Sequence, residues 1–470
     1  MVMQLHDESS QPWFMSGGDV RRLVREKEIS VREVVESQIQ RIEDVNGKIN
    51  AIVASKPDDA RATAQLIDDG KIVAPNNGMT MTTKINTDHI GYANDNGVRG
   101  MAENQSLKTA SCVEGLLGSG MTMMGRTNAP ALSMRLHTDN ELHGETLNPH
   151  GEHISCGGSS GGAAAAVAAG LCHVAQGSDV GGSLRWPAYC NGVIGLRPTM
   201  GRMVVGGTNA NLRGWMPANM ATHGPIARTM EDLEAAFTAM NTPNWADPFW
   251  VPAPLSFPRP TTPTKVALVT QDSFGLHPAV AESVREAGRV LSDAGYIVEE
   301  RTPPMLDEFF LLWTSLASID ITFGLLPAMT AANDAGLSGV FADWENAFVD
   351  HSAQGFMKAH MLRDQVIRAW NEFFAEYPLV VLPGFGEPMM RRGQDREGAG
   401  AMFTVAELAR YMLNIPALGI PAMSFPMGKH ESAPMGVQIA AHAWREDLII
   451  DAGFALEACR GKVTPVSVEW

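Results

Sequence analysis

Cysteine is scarce in this chain. The five residues, Cys112, Cys156, Cys172, Cys190 and Cys459, are odd in number, scattered, and free of any CxxC pair. That leaves out a disulfide framework and thiolate zinc sites, and reduced thiols in a cytoplasmic protein are expected. Histidine supplies no metal motif either, because none of the thirteen has a partner four residues on. No metal and no cofactor are therefore expected. The chain also lacks a run of about 18 apolar residues, so no transmembrane helix is expected. The opening MVMQLHDESSQPWF lacks a basic and then apolar leader, and no signal peptide is expected. Long basic runs are missing and the formal net charge is −16, which argues against nucleic acid or an anionic membrane as partner. No G-x-x-x-x-G-K-[ST] occurs, so a nucleotide-phosphate loop is not expected. Repeats and low-complexity tracts are absent.

What is present is concentrated in Gly157 to Arg202, which carries two glycine-framed serines, Ser159 and Ser183. Gly157-Gly158-Ser159-Ser160-Gly161-Gly162 has too many glycines for a helix or strand interior and suits a loop that approaches something closely. Ala163 to Ala169 is small and apolar, a buried helix with Gly170 at its C′ position. Leu171 to Gln176 reads as a short buried strand. Gly177 to Ser183 then makes a second loop, GSDVGGS. It places a serine hydroxyl beside glycine-rich backbone N–H groups, as a nucleophile with oxyanion donors requires. Ser183 is the candidate nucleophile, and the N–H groups of Val180, Gly181, Gly182 and Ser183 are the candidate oxyanion donors.

Upstream, Lys84 is the one charge in an otherwise uncharged run from Asn76 to Thr87. Alternating Thr and Met from Gly78 onward predicts a strand. A lysine inside such a strand either reaches solvent at an edge or is buried at a cost that needs a reason.

GGSSGG, the Ala-rich helix, GSDVGGSLRWPA and GLRPT together resemble the signature of the amidase signature family. Lys84-Ile85-Asn86, Gly125-Arg126-Thr127-Asn128 and His223 to Thr229 extend the resemblance over most of the chain. Ile85 departs from the common Asp of the family's lysine strand. The resemblance implies one large α/β domain spanning residues 1–470, with a mixed β-sheet core covered by helices on both faces. It implies an amidase acting through a Ser–Ser–Lys triad, with Lys84 as base, Ser159 as proton shuttle and Ser183 as the acylated nucleophile. A cis peptide at Ser159 is implied as well. Ser160 would support the triad by hydrogen bonding. Asp179 and Arg185 would pin the loop. Ser133 and Met134 would line the substrate cavity. The expected partner is a small-molecule amide, and a homodimer is left open.

The remaining segments read as scaffold. Residues 18–46 are predicted helical, with Ser30 to Glu33 at capping-box spacing and Gly47 ending the helix. Residues 105–124 read as helix then strand, and Met230 to Met240 as helix. Residues 242–264 are proline-rich connection. Lys265 to Thr270 reads as strand and Pro278 to Ala294 as helix. Residues 305–376 read as mostly helical, the expected specificity region. Leu379 to Leu382, Asn414 to Pro426 and Met435 to Ile439 read as strands, and Asp447 to Ala458 as helix. His137 and His143 read as hydrogen-bonded loop histidines, and Cys156 as a packed thiol.

Three other readings compete. Gly158 to Gly162 fits G-x-S-x-G and would make an α/β-hydrolase, but no buried strand is predicted before it. GGSSGG at a helix N-terminus would suit a phosphate, although no nucleotide motif accompanies it. Within the resemblance, the chain could be the amidase subunit of a tRNA-dependent amidotransferase. A stand-alone amidase hydrolyses simple amides by itself.

Overall fold

A computed structural model describes residues 8–203, 213–258, 261–345 and 349–470. In chain order its strands are β1 (Ile52–Ala54), β2 (Thr80–Lys84), β3 (Thr122–Thr127), β4 (Asp139–Asn140), β5 (Gly144–Glu145), β6 (Val174–Asp179), β7 (Ile194–Arg197), β8 (Thr222–Ala227), β9 (Lys265–Leu268), β10 (Ile297–Glu300), β11 (Leu379–Pro383), β12 (Ala422–His430) and β13 (Ala433–Ala441). Among the described residues eleven strands form one sheet in the order β1-β3-β2-β6-β8-β7-β12-β13-β11-β9-β10, and β4 pairs with β5 alone. The sheet is mixed. β3, β2 and β6 run parallel, β9 to β11 include a second parallel group, and antiparallel pairs join them.

The inner strands of this sheet are buried on both faces, successive side chains entering opposite cores. Val380 and Leu382 of β11 enter one apolar core with Trp186 and Phe309, whereas Leu379 and Val381 enter a second with Ile439 and Ile449. β9 divides in the same way, Ala267 to the first core and Val266 to the second. Helices cover each side, so the expected α/β architecture is the one observed.

Several local expectations shift. The stretch 18–46 is two helices, Gly17–Glu26 and Val31–Ile49. Lys27 ends the first in the left-handed region at φ 61°. Ser30 starts the second with both bonds of a capping box. Gly47 lies inside that helix, and Asn50 at φ 48° ends it, because Asn tolerates the left-handed cap as Gly does. β6 runs on to Asp179, so Gly177 and Ser178 are strand rather than loop. Antiparallel pairing with Gly224 and His223 of β8 gives these residues a ladder that local composition does not reveal. Asn414 to Leu418 is helix, not strand, within Arg410–Leu418. Gly419 at φ 72° closes that helix before β12 begins. The span 305–376 is helical over Leu306–Asp320, Leu326–Ala332, Ala335–Glu345 and Ala353–Glu376; residues 346–348 of it lie outside the described residues.

Candidate active site

Parallel pairing of β2 with β6, Thr83 opposite Gln176, sets Lys84 beside the C-terminal end of β6. Lys84 is fully buried. Its Nζ lies 2.7 Å from Ser159 Oγ and 3.3 Å from Ser178 Oγ. Removing an ammonium from water penalises its charged form. Burial accordingly pulls Lys84 from its ordinary 10.5 down to about 7, against a smaller upward pull from Asp179. The lysine is therefore not a strand-edge cation reaching solvent.

Ser178 was not among the residues expected here. Its Oγ accepts from Asn86 Nδ2 at 3.1 Å as well as facing Lys84, and Asn86 Nδ2 also donates to Ser133 Oγ at 2.9 Å. Asn86 lies in the turn that follows Lys84 at the end of β2, closed by Thr87 N–H donating to Lys84 O at 3.0 Å, so strand alternation gave no signal for this cluster. Finding it needed the neighbouring strand, which only the sheet order supplies.

The second serine loop is held by Asp179. Its carboxylate accepts from the N–H groups of Gly182 at 2.8 Å and Leu184 at 3.2 Å. Arg185 grips it with Nε at 3.0 Å and Nη2 at 3.1 Å. Burial alone would raise the Asp179 pKa. Arg185 and Arg197 reverse that, and the net shift is downward. One expected oxyanion donor is thereby reassigned: the Gly182 N–H is turned onto Asp179, which leaves Val180, Gly181 and Ser183 as the candidate set. Gly182 itself sits at φ 96°, and a Cβ there would lie 3.0 Å from Met412 Cβ. The positive φ favours glycine, and the Met412 side chain leaves little room for a Cβ.

Helix Arg410–Leu418 completes the clamp. Pro416 has no N–H to give to the carbonyl four residues back. That carbonyl, Met412 O, accepts instead from Arg185 Nη2 at 2.8 Å. Arg185 Nη1 also donates to Gln438 of β13. Replacing Asp179 by Asn should leave two buried arginines without their counter-charge. About 3–5 kcal/mol of unfolding free energy should be lost, read as a lower urea midpoint. An unchanged midpoint would show the pair to be dispensable.

Ser160 ties the two serine loops together, its N–H donating to Ser183 O at 3.2 Å. The Gly158–Ser159 peptide is cis. Ser133, at φ 60°, and Met134 line a cavity with Leu136, Val180, Gly181, Ser183, Trp313, Met402 and Leu413. Its volume is about 30 Å³, enough to hold an ordered water. Arg135 also borders it but spends its guanidinium on Asp395 and Asp139. The cavity wall is thus apolar apart from hydroxyl and backbone groups. A wider groove of about 1140 Å³, lined by Arg21, Arg25, Glu28, Glu33 and Asp68 among others, contains none of these site residues.

The loop histidines and Cys156 are held by hydrogen bonds. His137 bonds Ser155 Oγ at 2.9 Å and Glu145 at 2.8 Å, and His143 bonds Asp95 at 3.1 Å. Cys156 is buried, with its thiol toward Gly157 O. The residues before Gly157 form no strand, only an isolated bridge from Ile154 to Arg391. The strand-to-nucleophile elbow of an α/β-hydrolase is therefore not built here.

A buried lysine near neutrality, two serines, and backbone amides beside an apolar cavity make an arrangement suited to acyl transfer on a mixed α/β sheet. The amidase family model matches residues 33–450, and the chain belongs to that family. It is 36% identical over 459 residues to an indoleacetamide hydrolase of Bradyrhizobium diazoefficiens, covering 95% of this chain and 86% of the relative. It is 31% identical to an acylamidase of Rhodococcus erythropolis, covering 96% and 97%. A solved structure of 6-aminohexanoate cyclic dimer hydrolase with substrate matches with a TM-score of 0.83 at 26% identity, covering 97% of this chain and 99% of that one. The protein is an amidase signature amidohydrolase acting on carbon–nitrogen bonds.

Proposed function

We propose that the chain hydrolyses a small carboxamide with an uncharged, apolar acyl group through an acyl-Ser183 intermediate. The observation that carries this reading is the 2.7 Å approach of Lys84 Nζ to Ser159 Oγ, made by a lysine held near neutrality. Once neutral, Lys84 accepts a proton from Ser159 while still donating to Ser178. Ser159 in turn takes the Ser183 proton. Ser183 Oγ then bonds to the carbonyl carbon, and the carbonyl π electrons move to oxygen. The Val180, Gly181 and Ser183 amides are the proposed donors to that oxyanion. As the tetrahedral species collapses, the C=O bond reforms and the C–N bond breaks. The proton returns from Lys84 through Ser159 to the leaving amine. Water then repeats the sequence on the ester, releasing the acid and free Ser183.

Substrate class follows from the wall. Met134, Leu136, Trp313, Met402 and Leu413 offer no charge to an acyl group, and methionines reshape easily around a larger one. An arylacetamide is the class we favour, in keeping with the relative named as an indoleacetamide hydrolase. Trp313 comes from the 305–376 span, which supports a specificity role for that region. Among the described residues no helix is long and apolar enough to cross a membrane. We place the protein in the cytoplasm, acting without nucleic acid, as a single 1–470 domain.

Ammonia release should be measured across phenylacetamide, indole-3-acetamide, hexanamide, glutamine and an N-unsubstituted carbamate, with alcohol release measured from an ester. Turnover of the arylacetamides above glutamine is expected, and no release from any amide would overturn the reading. The same activity should survive prolonged EDTA or phenanthroline treatment. Loss that zinc restores would point to different chemistry.

A further inference from the structure

Trp313 reaches the nucleophile loop from a helix more than a hundred residues downstream in sequence. Its indole Nε1–H donates to Val180 O at 2.7 Å. The ring also lies against the loop, since a Cβ on Gly181 would stand 3.1 Å from indole Cε2 and Nε1. Helix Leu306–Asp320 is itself tied down at this point. Asn414 Oδ1 accepts from Trp313 N at 2.8 Å, and Asn414 Nδ2 donates to Arg410 O at 2.9 Å.

The Val180–Gly181 peptide is planar and trans, so its C=O and the Gly181 N–H point in opposite directions within one plane. A partner that fixes the carbonyl therefore fixes the aim of the N–H. Gly181 has no side chain to limit its own rotation, and Gly182 on its far side sits at positive φ. Asp179 spends its carboxylate on the Gly182 and Leu184 amides and on Arg185, and not on the 180–181 peptide. That task falls to the indole.

We infer that Trp313 is a positioning residue, whose indole N–H orients the Val180–Gly181 peptide so that the Gly181 amide faces the developing oxyanion. This rests on the hydrolase reading above and extends it to a residue outside the nucleophile and the proton relay. The indole does this from the cavity wall, where an acyl group would meet it.

The test uses the full chain, phenylacetamide as substrate, benzylboronic acid as a tetrahedral mimic and phenylacetate as product. Trp313→Phe keeps an aromatic ring and removes the N–H. A donor that is present but misaimed loses transition-state stabilisation and little ground-state binding, so kcat should fall about tenfold with KM within about twofold. Boronate affinity should weaken by a similar factor while phenylacetate affinity holds. An unchanged kcat, or equal weakening of boronate and phenylacetate, would overturn the role and leave Trp313 as packing. If thermal melting shows Trp313→Phe unfolded, benzothienylalanine at the same position keeps the bicyclic shape without the N–H, and the same two outcomes decide. Wild type that releases ammonia alongside an equally active variant overturns the role of Trp313 alone. Wild type that releases none overturns the hydrolase reading with it.

Discussion

Ser183→Ala should lower amide turnover by roughly 10⁴- to 10⁶-fold, leaving only what binding and the backbone donors supply. Ser183 is on the wall of the apolar cavity, whereas Ser159 is at the lysine and Ser160 turns its Oγ toward Ser178 O. The alanine variant should keep its fold, because the Asp179 and Arg185 contacts that shape the loop involve backbone and not the Ser183 hydroxyl. Labelling gives the direct measurement. A fluorophosphonate should add once to the wild type by intact mass, and peptide mapping should place it on Ser183. An adduct on Cys156, Ser159 or Ser160 would assign the nucleophile elsewhere.

Lys84 sets the second large effect, on the pH profile. Burial pulls it down to about 7, and in the proposed mechanism it is the neutral form that would accept the Ser159 proton. kcat/KM should therefore rise with pH through about 7 and then plateau, since the serines do not titrate there. Lys84→Ala should lose most of the rate on an amide, whose leaving group needs a proton, and less on an activated ester. Lys84→Arg should not rescue, because guanidinium stays charged. Wild-type amide activity in Lys84→Ala, with the acidic limb unmoved, would place the base elsewhere. Stability moves in the same pH window. A lysine whose folded pKa lies below its unfolded value binds fewer protons when folded. Stability from this group is then lowest below about 7 and rises with pH toward its unfolded value near 10.4. Lys84→Met should accordingly be inactive yet more stable than wild type at pH 7, with the difference closing as pH approaches 10; melting temperature against pH reads this directly.

Much of this was visible in the amino-acid order because the chemistry is local. Glycines around Ser159 and Ser183 mark places where backbone must come close, and such a requirement is written residue by residue. Ser30 and Glu33 carry their capping box within one turn. The uncharged neighbourhood singled out Lys84, though an edge lysine and a buried one both stayed open, and residues 305–376 read as mostly helical.

Other features depend on partners distant in sequence, and only the tertiary structure decided them. Ser178 meets Lys84 because β2 and β6 are neighbours in parallel register. Gly177 and Ser178 are strand because β8 pairs with them. Arg410–Leu418 is helix despite Pro416, since the carbonyl that proline abandons is taken by Arg185. The Gly182 amide faces Asp179 rather than the cavity, although its sequence context matches that of Gly181. Trp313 reaches Val180 only once its helix docks on Asn414. Local pattern determines which residues have unusual backbone freedom or burial. Which groups then share a hydrogen bond depends on how strands are ordered and helices docked, and that is settled by long-range packing.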